Sequence, residues 1–152
     1  MKKTCVESCL LYLKYSRTEY ETRKYLKSLE YDNNEIDKAI EYCKDLGYID
    51  DEDYVNSFVS DHVVFYKWGP NKIKFKLKEK GIPDEMVEFS IMDNKEDIEK
   101  NILEQAAKKA RSLDLNDYKT KRKVINFLIS KGYKYDDANS AFEKYKDNMK
   151  NE

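Results

Sequence analysis

The chain has few of the residues that interrupt regular structure: four glycines and two prolines among 152 residues. Each of them therefore marks a place where the backbone needs it. No Gly- or Ser-rich linker and no low-complexity tract divides the chain, and no stretch alternates as a bounded strand would. The longest apolar runs fall far short of the roughly 18 residues that span a bilayer. A Gly-rich phosphate loop is also missing, so nucleotide binding is not expected. The single histidine, His62, leaves no second imidazole to act as base for a serine or cysteine nucleophile. Three cysteines, Cys5, Cys9 and Cys43, are an odd number with no disulfide pattern; with no signal-peptide pattern either, a reducing cytoplasm is the expected location. Net charge is −1, so no global charge draws the protein to nucleic acid or membrane.

What the chain does have is a repeat. Leu26, Leu77 and Leu128 stand 51 residues apart. Tyr31, Ile82 and Tyr133 follow in a second register, and Glu30, Gly81 and Gly132 hold the turn position between them. A fixed period of this length signals a repeat architecture, and arrays of helices make long binding surfaces more readily than enclosed pockets. The expected fold is all-α, an elongated array of three tandem three-helix (helix-turn-helix-like) modules, spanning 1–48, 49–93 and 94–152. Thirteen tyrosines and six phenylalanines suggest thin cores built partly from Tyr rings, with hydroxyls at the surface.

Within module one, a helix over about Lys3 to Tyr15 carries Val6, Leu10 and Leu13. Ser16 or Thr18 caps the next helix. Ile36, Ala39, Ile40, Cys43 and Leu46 make an i, i+3, i+4, i+7 stripe on the third, which Gly47 ends. In module two Asp50 is the N-cap, with Asp51, Glu52 and Asp53 in the first turn. Tyr54, Phe58, His62 and Phe65 form the expected stripe. Gly69-Pro70 breaks the chain and starts a helix with Ile73 and Leu77, which Gly81 closes. Pro83 opens a short helix with Met86, Val87 and Ile91. Module three has a long helix from about Lys95 to Leu113, then one carrying Val124 and Leu128, and a last one starting at Asp136 or Asp137.

Four consecutive acids at Asp50–Asp53 point in different directions from a helix start, so capping explains them better than a two-metal site. Cys5 and Cys9, with Cys43 and His62, lack the paired spacing of a zinc site and read as small core residues. No metal and no cofactor are expected. The segment from Phe65 to Lys76 is different. It interleaves Lys67, Lys72, Lys74, Lys76 and, just beyond, Lys78 with aromatics that include Trp68. Cations among aromatics attract phosphate backbones and acidic protein grooves. Lys119, Lys121, Arg122 and Lys123 lie at the matching place in module three, which favours one extended binding face; the plainer alternative is solvated lysines around a packed Trp68. The blocks between are acidic: ten acids and two lysines from Glu30 to Asp53, eight acids and two lysines from Asp84 to Glu104.

The run Leu46-Gly47-Tyr48-Ile49-Asp50-Asp51-Glu52-Asp53-Tyr54, then Gly69-Pro70, then Leu77-Lys78-Glu79-Lys80-Gly81-Ile82, closely resembles the RecX family of recombination regulators. Gly47, Asp50, Asp51, Tyr54, Gly69, Pro70 and Gly81 are the motif positions. The resemblance implies three three-helix modules in a non-enzymatic, monomeric protein that binds the RecA filament along its groove and restrains ATP hydrolysis and strand exchange, with single-stranded DNA as a further contact and no membrane partner. Glu30 stands where the family's first module usually has glycine, and lysines replace its arginines, which alters bidentate geometry. The alternative is a helical module that binds nucleic acid without RecA.

Overall fold

The computed structural model describes residues 2–151, which form nine helices and no strand. Module one is α1 (Cys5–Tyr12), α2 (Glu19–Ser28) and α3 (Asn33–Asp45). Module two is α4 (Asp51–Val64), α5 (Pro70–Glu79) and α6 (Asp84–Asp93). Module three is α7 (Lys95–Ala110), α8 (Thr120–Ser130) and α9 (Tyr135–Lys150). The repeat register is the core register. Leu26, Leu77 and Leu128 are wholly buried, and Tyr31, Ile82 and Tyr133 nearly so. The middle helix of each module ends at the same turn. Glu30 (φ 68), Gly81 (φ 80) and Gly132 (φ 103) all adopt the left-handed conformation that follows a helix C-cap. In modules two and three the turn closes with paired backbone bonds, Ile82 N–H to the Leu77 carbonyl and Tyr133 N–H to the Leu128 carbonyl.

These turns are also the joints between modules. The Thr18 hydroxyl, at the N-cap of α2, donates to the Lys80 carbonyl at the C-terminal end of α5 (2.7 Å). Fifty-one residues on, Gly69 at the N-cap of α5 donates its N–H to the Lys131 carbonyl at the end of α8 (2.8 Å), and Asn71 N–H donates to the Gly132 carbonyl (2.9 Å). The N-terminus of one middle helix thus meets the C-terminal turn of the next, so N–H and C=O groups that each helix leaves unpaired satisfy one another and the dipoles align head to tail. The approach is too close for side chains. A Cβ on Gly81 would lie 2.2 Å from the Tyr20 Cβ; one on Gly132 would lie 2.4 Å from the Lys72 Cβ; one on Gly69 would lie 2.4 Å from the Gly132 carbonyl carbon. Glu30, by contrast, is exposed, and its side chain is admitted at the same turn.

The two joints differ in kind. Module one has its own core of Cys5, Cys9, Leu26, Tyr31, Ile36, Ala39, Ile40, Cys43 and Ile49. Its joint is polar. The motif pair Asp50-Asp51 caps two helices at once: Asp50 accepts Asp53 N–H at the start of α4 (3.0 Å), while Asp51 reaches back to accept Glu19 N–H at the start of α2 (2.9 Å). Glu19 also meets Lys44 and Arg23, and Glu21 meets Lys80 (3.4 Å). Modules two and three instead share one core, from Val55 and Ile73 to Ile102, Val124 and Phe142. Asn101, buried in α7, donates to the Val63 carbonyl at the end of α4 (2.8 Å).

Several expected core positions fall elsewhere. The buried face of α4 is Val55, Val59 and Val63, not the Tyr54-Phe58-His62-Phe65 stripe; Phe65 is 74% exposed. β-branched aliphatics pack more closely against α6 and α7 than a row of rings would, and they displace the aromatics to the flank. On α1 it is Cys5, Ser8 and Cys9 that turn inward, while Leu10 is exposed. Leu46 is exposed because the αL turn at Gly47 carries the chain away. The α7 helix stops at Ala110, short of Leu113, and α9 starts at Tyr135, just before the two aspartates. The buried hydroxyls of Tyr31 and Tyr133 point inward to the Lys3 and Lys67 carbonyls rather than out to solvent. Cys5, Cys9 and Cys43 are buried, with the Cys9 and Cys43 sulfurs 3.3 Å apart, and burial pushes the Cys9 thiol up.

Gly132→Ala should lower stability in chemical denaturation by more than about 2 kcal/mol, because the left-handed backbone alone costs about 1–2 kcal/mol before the clash with Lys72 is added. Glu30→Gly should stay within about 1 kcal/mol of the parent, since relief of strain is offset by a more flexible unfolded chain. At Asp51, loss of the cap in Asp51→Ala should cost about 1 kcal/mol. Burial raises the Asp51 carboxyl above its usual range and outweighs the hydrogen bond from the Glu19 N–H, which works to lower it. Ionised Asp51 therefore takes stability away as pH rises from the ordinary carboxylate value through the raised folded one. Asp51→Asn keeps an acceptor for Glu19 without that charge, so its stability relative to the parent should improve across this same rise, read from denaturation midpoints between about pH 3 and pH 7.

Candidate nucleic-acid and protein interface

The displaced aromatics of α4 form a continuous row. Tyr54 and Phe58 have ring centroids 6.2 Å apart, Phe58 and His62 3.8 Å, His62 and Tyr66 5.0 Å, and His62 and Trp68 4.4 Å. Their spacing by four residues puts them on one edge of the helix. His62 Nδ1 lies 2.7 Å from the Phe58 carbonyl, which fixes its ring within the row. His62 is thus a half-buried stacking residue. Trp68 is half-buried at the end of the row, its ring covered by the Lys72 ammonium at 4.5 Å.

Lysines run beside this row on α5. Lys72, Lys76 and Lys80 recur every four residues and share a face. Lys72 covers Trp68. Lys80 lies at the other end beside Tyr54 and Glu21; burial works against its charge, but these two neighbours outweigh it and raise its pKa. Lys74 and Lys78 point to the other side of α5, where Lys74 pairs with Glu88 (2.6 Å) and Lys78 with Asp84 (3.6 Å) of α6. Lys74 and Lys78 are therefore neutralised by the neighbouring helix, while Lys76 has only the Glu79 carboxylate of its own helix at 3.9 Å. A lysine cluster in sequence does not reveal this, because alternate positions on a helix face different neighbours.

Module three shapes one end of the row. Lys131 Nζ donates to the Tyr66 carbonyl (2.9 Å) and the Tyr133 hydroxyl to the Lys67 carbonyl (2.7 Å). Lys67 itself holds φ 58, a left-handed conformation uncommon for a lysine, and the bond to its carbonyl from Tyr133 helps to hold it there. Burial, then the charges of Lys72 and Lys108, hold the Lys131 pKa below its usual range. Lys108 and Lys131 thus join Lys72 at the joint between modules two and three. They lie apart in sequence from the lysine-aromatic segment, and only the end-to-end packing of α5 and α8 connects them to it. The second sequence cluster stands away from this joint. Lys119, Lys121, Arg122 and Lys123 lie at the far end of α8, roughly 16 Å along the helix at 1.5 Å per residue. Lys121 pairs with Glu143 (2.8 Å) and Lys119 leans on Tyr118. Arg122 and Lys123 are exposed and make no ion pair among the described residues.

The motif positions serve construction of this surface. Gly47 and Gly81 supply left-handed turns, Asp50 and Asp51 supply caps, and Gly69-Pro70 starts α5 against Gly132. Tyr54 has a double part, packing against the core and opening the aromatic row.

Comparison with known proteins agrees with this construction. Family models for the first, second and third three-helix domains of RecX match residues 5–43, 50–89 and 96–142. The chain is 37% identical over 124 residues to the Regulatory protein RecX of Clostridium botulinum, an alignment covering 79% of this chain and 58% of the relative. It is 34% identical over 145 residues to that of Clostridium beijerinckii, covering 92% of this chain and 67% of the relative. The chain thus spans well under the full length of the first of these relatives. A crystal structure of RecX from Lactobacillus salivarius superposes with a TM-score of 0.84 at 27% identity, covering 93% of this chain and 94% of that one. With all three domain models matched in order along it, the chain belongs to the RecX family of regulatory proteins.

Proposed function

We propose that this chain regulates the RecA recombinase by lying along the groove of the RecA filament, as a cytoplasmic monomer, and restraining ATP hydrolysis and strand exchange by occupation rather than by chemistry. The observation that carries this reading is the pairing of an aromatic row on α4 with a lysine row on α5, set on an array whose modules repeat at fixed pitch. Such a surface matches a partner that is itself periodic and carries acidic groups or phosphates. Lys67, Trp68, Lys72 and Lys76 are the central contacts. Lys119, Lys121, Arg122 and Lys123 reach a second point one module along. Lys74 and Lys78, held by α6, contribute less. The modules 1–48, 49–93 and 94–152 act as the units of this contact.

Lys72→Glu with Lys76→Glu should weaken inhibition of RecA ATPase by about tenfold or more, since rim charges set encounter and orientation, while circular dichroism shows helicity unchanged. Lys74→Glu should have a smaller effect. Undiminished ATPase inhibition by the double variant would count decisively against the reading.

The same rows favour a second reading, direct binding of single-stranded nucleic acid, since bases stack on aromatic rings while lysines track phosphates. Titration with single-stranded DNA at two salt concentrations, without RecA, separates the two. Tight and steeply salt-dependent binding supports DNA as a partner in its own right; weak binding, with inhibition of RecA intact, leaves the filament as the target.

A further inference from the structure

We propose that the groove between α6, α7 and α9 docks a basic amphipathic helix of a partner protein. This surface lies on the other side of α5 from the lysine row and goes beyond the reading above. The groove encloses about 630 Å³, room for several side chains. Its floor is apolar, formed by Ile91, Ile98, Ile102 and Leu103. Met92 stands at its lip, and the outer edge of α6 continues the apolar surface in steps of three residues. Met86 is 42% exposed, Phe89 80% and Met92 71%. Isolated exposed apolar residues are ordinary, but these adjoin an apolar groove, and together they make the kind of patch that a partner covers. The core side of α6 is already served by Val87 and Ser90, both buried, so the outer row adds nothing to the module's own packing. Methionines beside a groove suit a helix whose anchors recur at i, i+4 and i+7, because flexible thioethers adjust to the incoming side chains.

Charge selects the class of helix. The segment from Asp84 to Glu104, which supplies α6 and most of α7, carries eight acids and two lysines. Asp84, Glu88 and Glu99 are matched by Lys78, Lys74 and Lys95. Of the other five, Asp97 and Glu104 line a separate cleft with Lys67 and Lys100, which leaves Glu85, Asp93 and Glu96 along α6 and the start of α7 with no ion pair to a lysine or arginine among the described residues. Asp137 adds another acid at the rim, and Lys144 is the one rim cation left without an ion pair among the described residues. An apolar groove within an acidic surround is complementary to a helix with apolar anchors and basic flanks, and it repels an acidic one.

The test uses the intact chain and a fluorescent 18-residue synthetic helix with leucine and phenylalanine at i, i+4 and i+7 and lysine at most other positions. A scrambled peptide of the same composition and a version with glutamate for lysine are the comparisons. The expected result is saturable one-to-one binding, at least about tenfold tighter than either comparison. Phe89→Ser with Met92→Ser removes apolar surface from exposed positions, and should weaken binding at least about tenfold with helicity unchanged. Lys72→Glu with Lys76→Glu should leave it unaltered, which separates failure here from failure of the filament reading. Equal binding of the scrambled peptide, or indifference to the serine pair, overturns the proposal. So does concentration-dependent self-association in sedimentation that the serine pair abolishes, which would make a second copy the occupant.

Discussion

Everything in this molecule depends on how helix ends are satisfied. A short helix leaves N–H groups unpaired at its start and C=O groups at its end, and with nine helices among the described residues such ends are numerous. The fold resolves the middle helices by setting them end to end, so that the start of α2 meets the end of α5 and the start of α5 meets the end of α8. That arrangement admits no side chain at the receiving turn. Gly81 and Gly132 are therefore constrained twice, by a left-handed backbone and by a neighbour within 3 Å of where a Cβ would stand, whereas Glu30 is constrained once. At the opposite end of the array, Thr120 occupies the position of Thr18 and Gly69, but it is buried and its hydroxyl turns back to the Asp114 carbonyl of its own loop. The start of α8 is thus satisfied from within its own loop rather than by a neighbouring turn.

The two joints have different mechanical consequences. Modules two and three are bonded backbone to backbone and share a core, so separating them exposes apolar surface. Module one is held by a hydroxyl, one carboxylate cap from Asp51 to the Glu19 N–H, and the ion pair of Glu21 with Lys80, while Glu19 pairs with Lys44 and Arg23 inside the module. Burial works against the Glu19 charge, but hydrogen bonds from Lys44 and Arg23 outweigh it and lower its pKa. Ion pairs of partly exposed groups weaken with salt and contribute little individually. Motion between modules is therefore expected to concentrate at the first joint, leaving the lysine and aromatic rows on a stiff two-module body.

The repeat, the helix count and the turn residues were legible in the sequence because each follows from local rules: period, caps and punctuation. The 51-residue register located Leu26, Leu77 and Leu128, and the structure buries all three. What sequence patterns missed was the choice between two apolar faces on one helix. In α4 the aromatics Tyr54, Phe58 and His62 and the valines Val55, Val59 and Val63 are adjacent stripes with the same period, and only the shape of α6 and α7 decides which goes inward. The same limit applies to charge. Lys72, Lys74, Lys76 and Lys78 read as one basic cluster, and the pairing of Lys74 and Lys78 across to another helix comes from acids on α6 that follow later in the chain.

That pairing bears on how a nearly neutral protein achieves directional electrostatics. A net charge of −1 gives no long-range pull, yet α5 sorts its lysines between two sides. On one side α6 cancels them and leaves an acidic surplus beyond. On the other side, along an aromatic row, Lys72 has no ion pair among the described residues, while Lys76 has the Glu79 carboxylate only at 3.9 Å and Lys80 the Glu21 carboxylate at 3.4 Å. Screening beyond about 8–10 Å makes the local sign of a surface, not the total, the quantity a partner meets. Because α5 is fixed at both ends by the joints, with Gly69 against Lys131 and Lys80 against Thr18, its rotation about its own axis is fixed too. The glycines that allow the helices to meet therefore also determine which lysines face outward, and a substitution at Gly132 would reach the binding face by turning α5 as well as by weakening the fold.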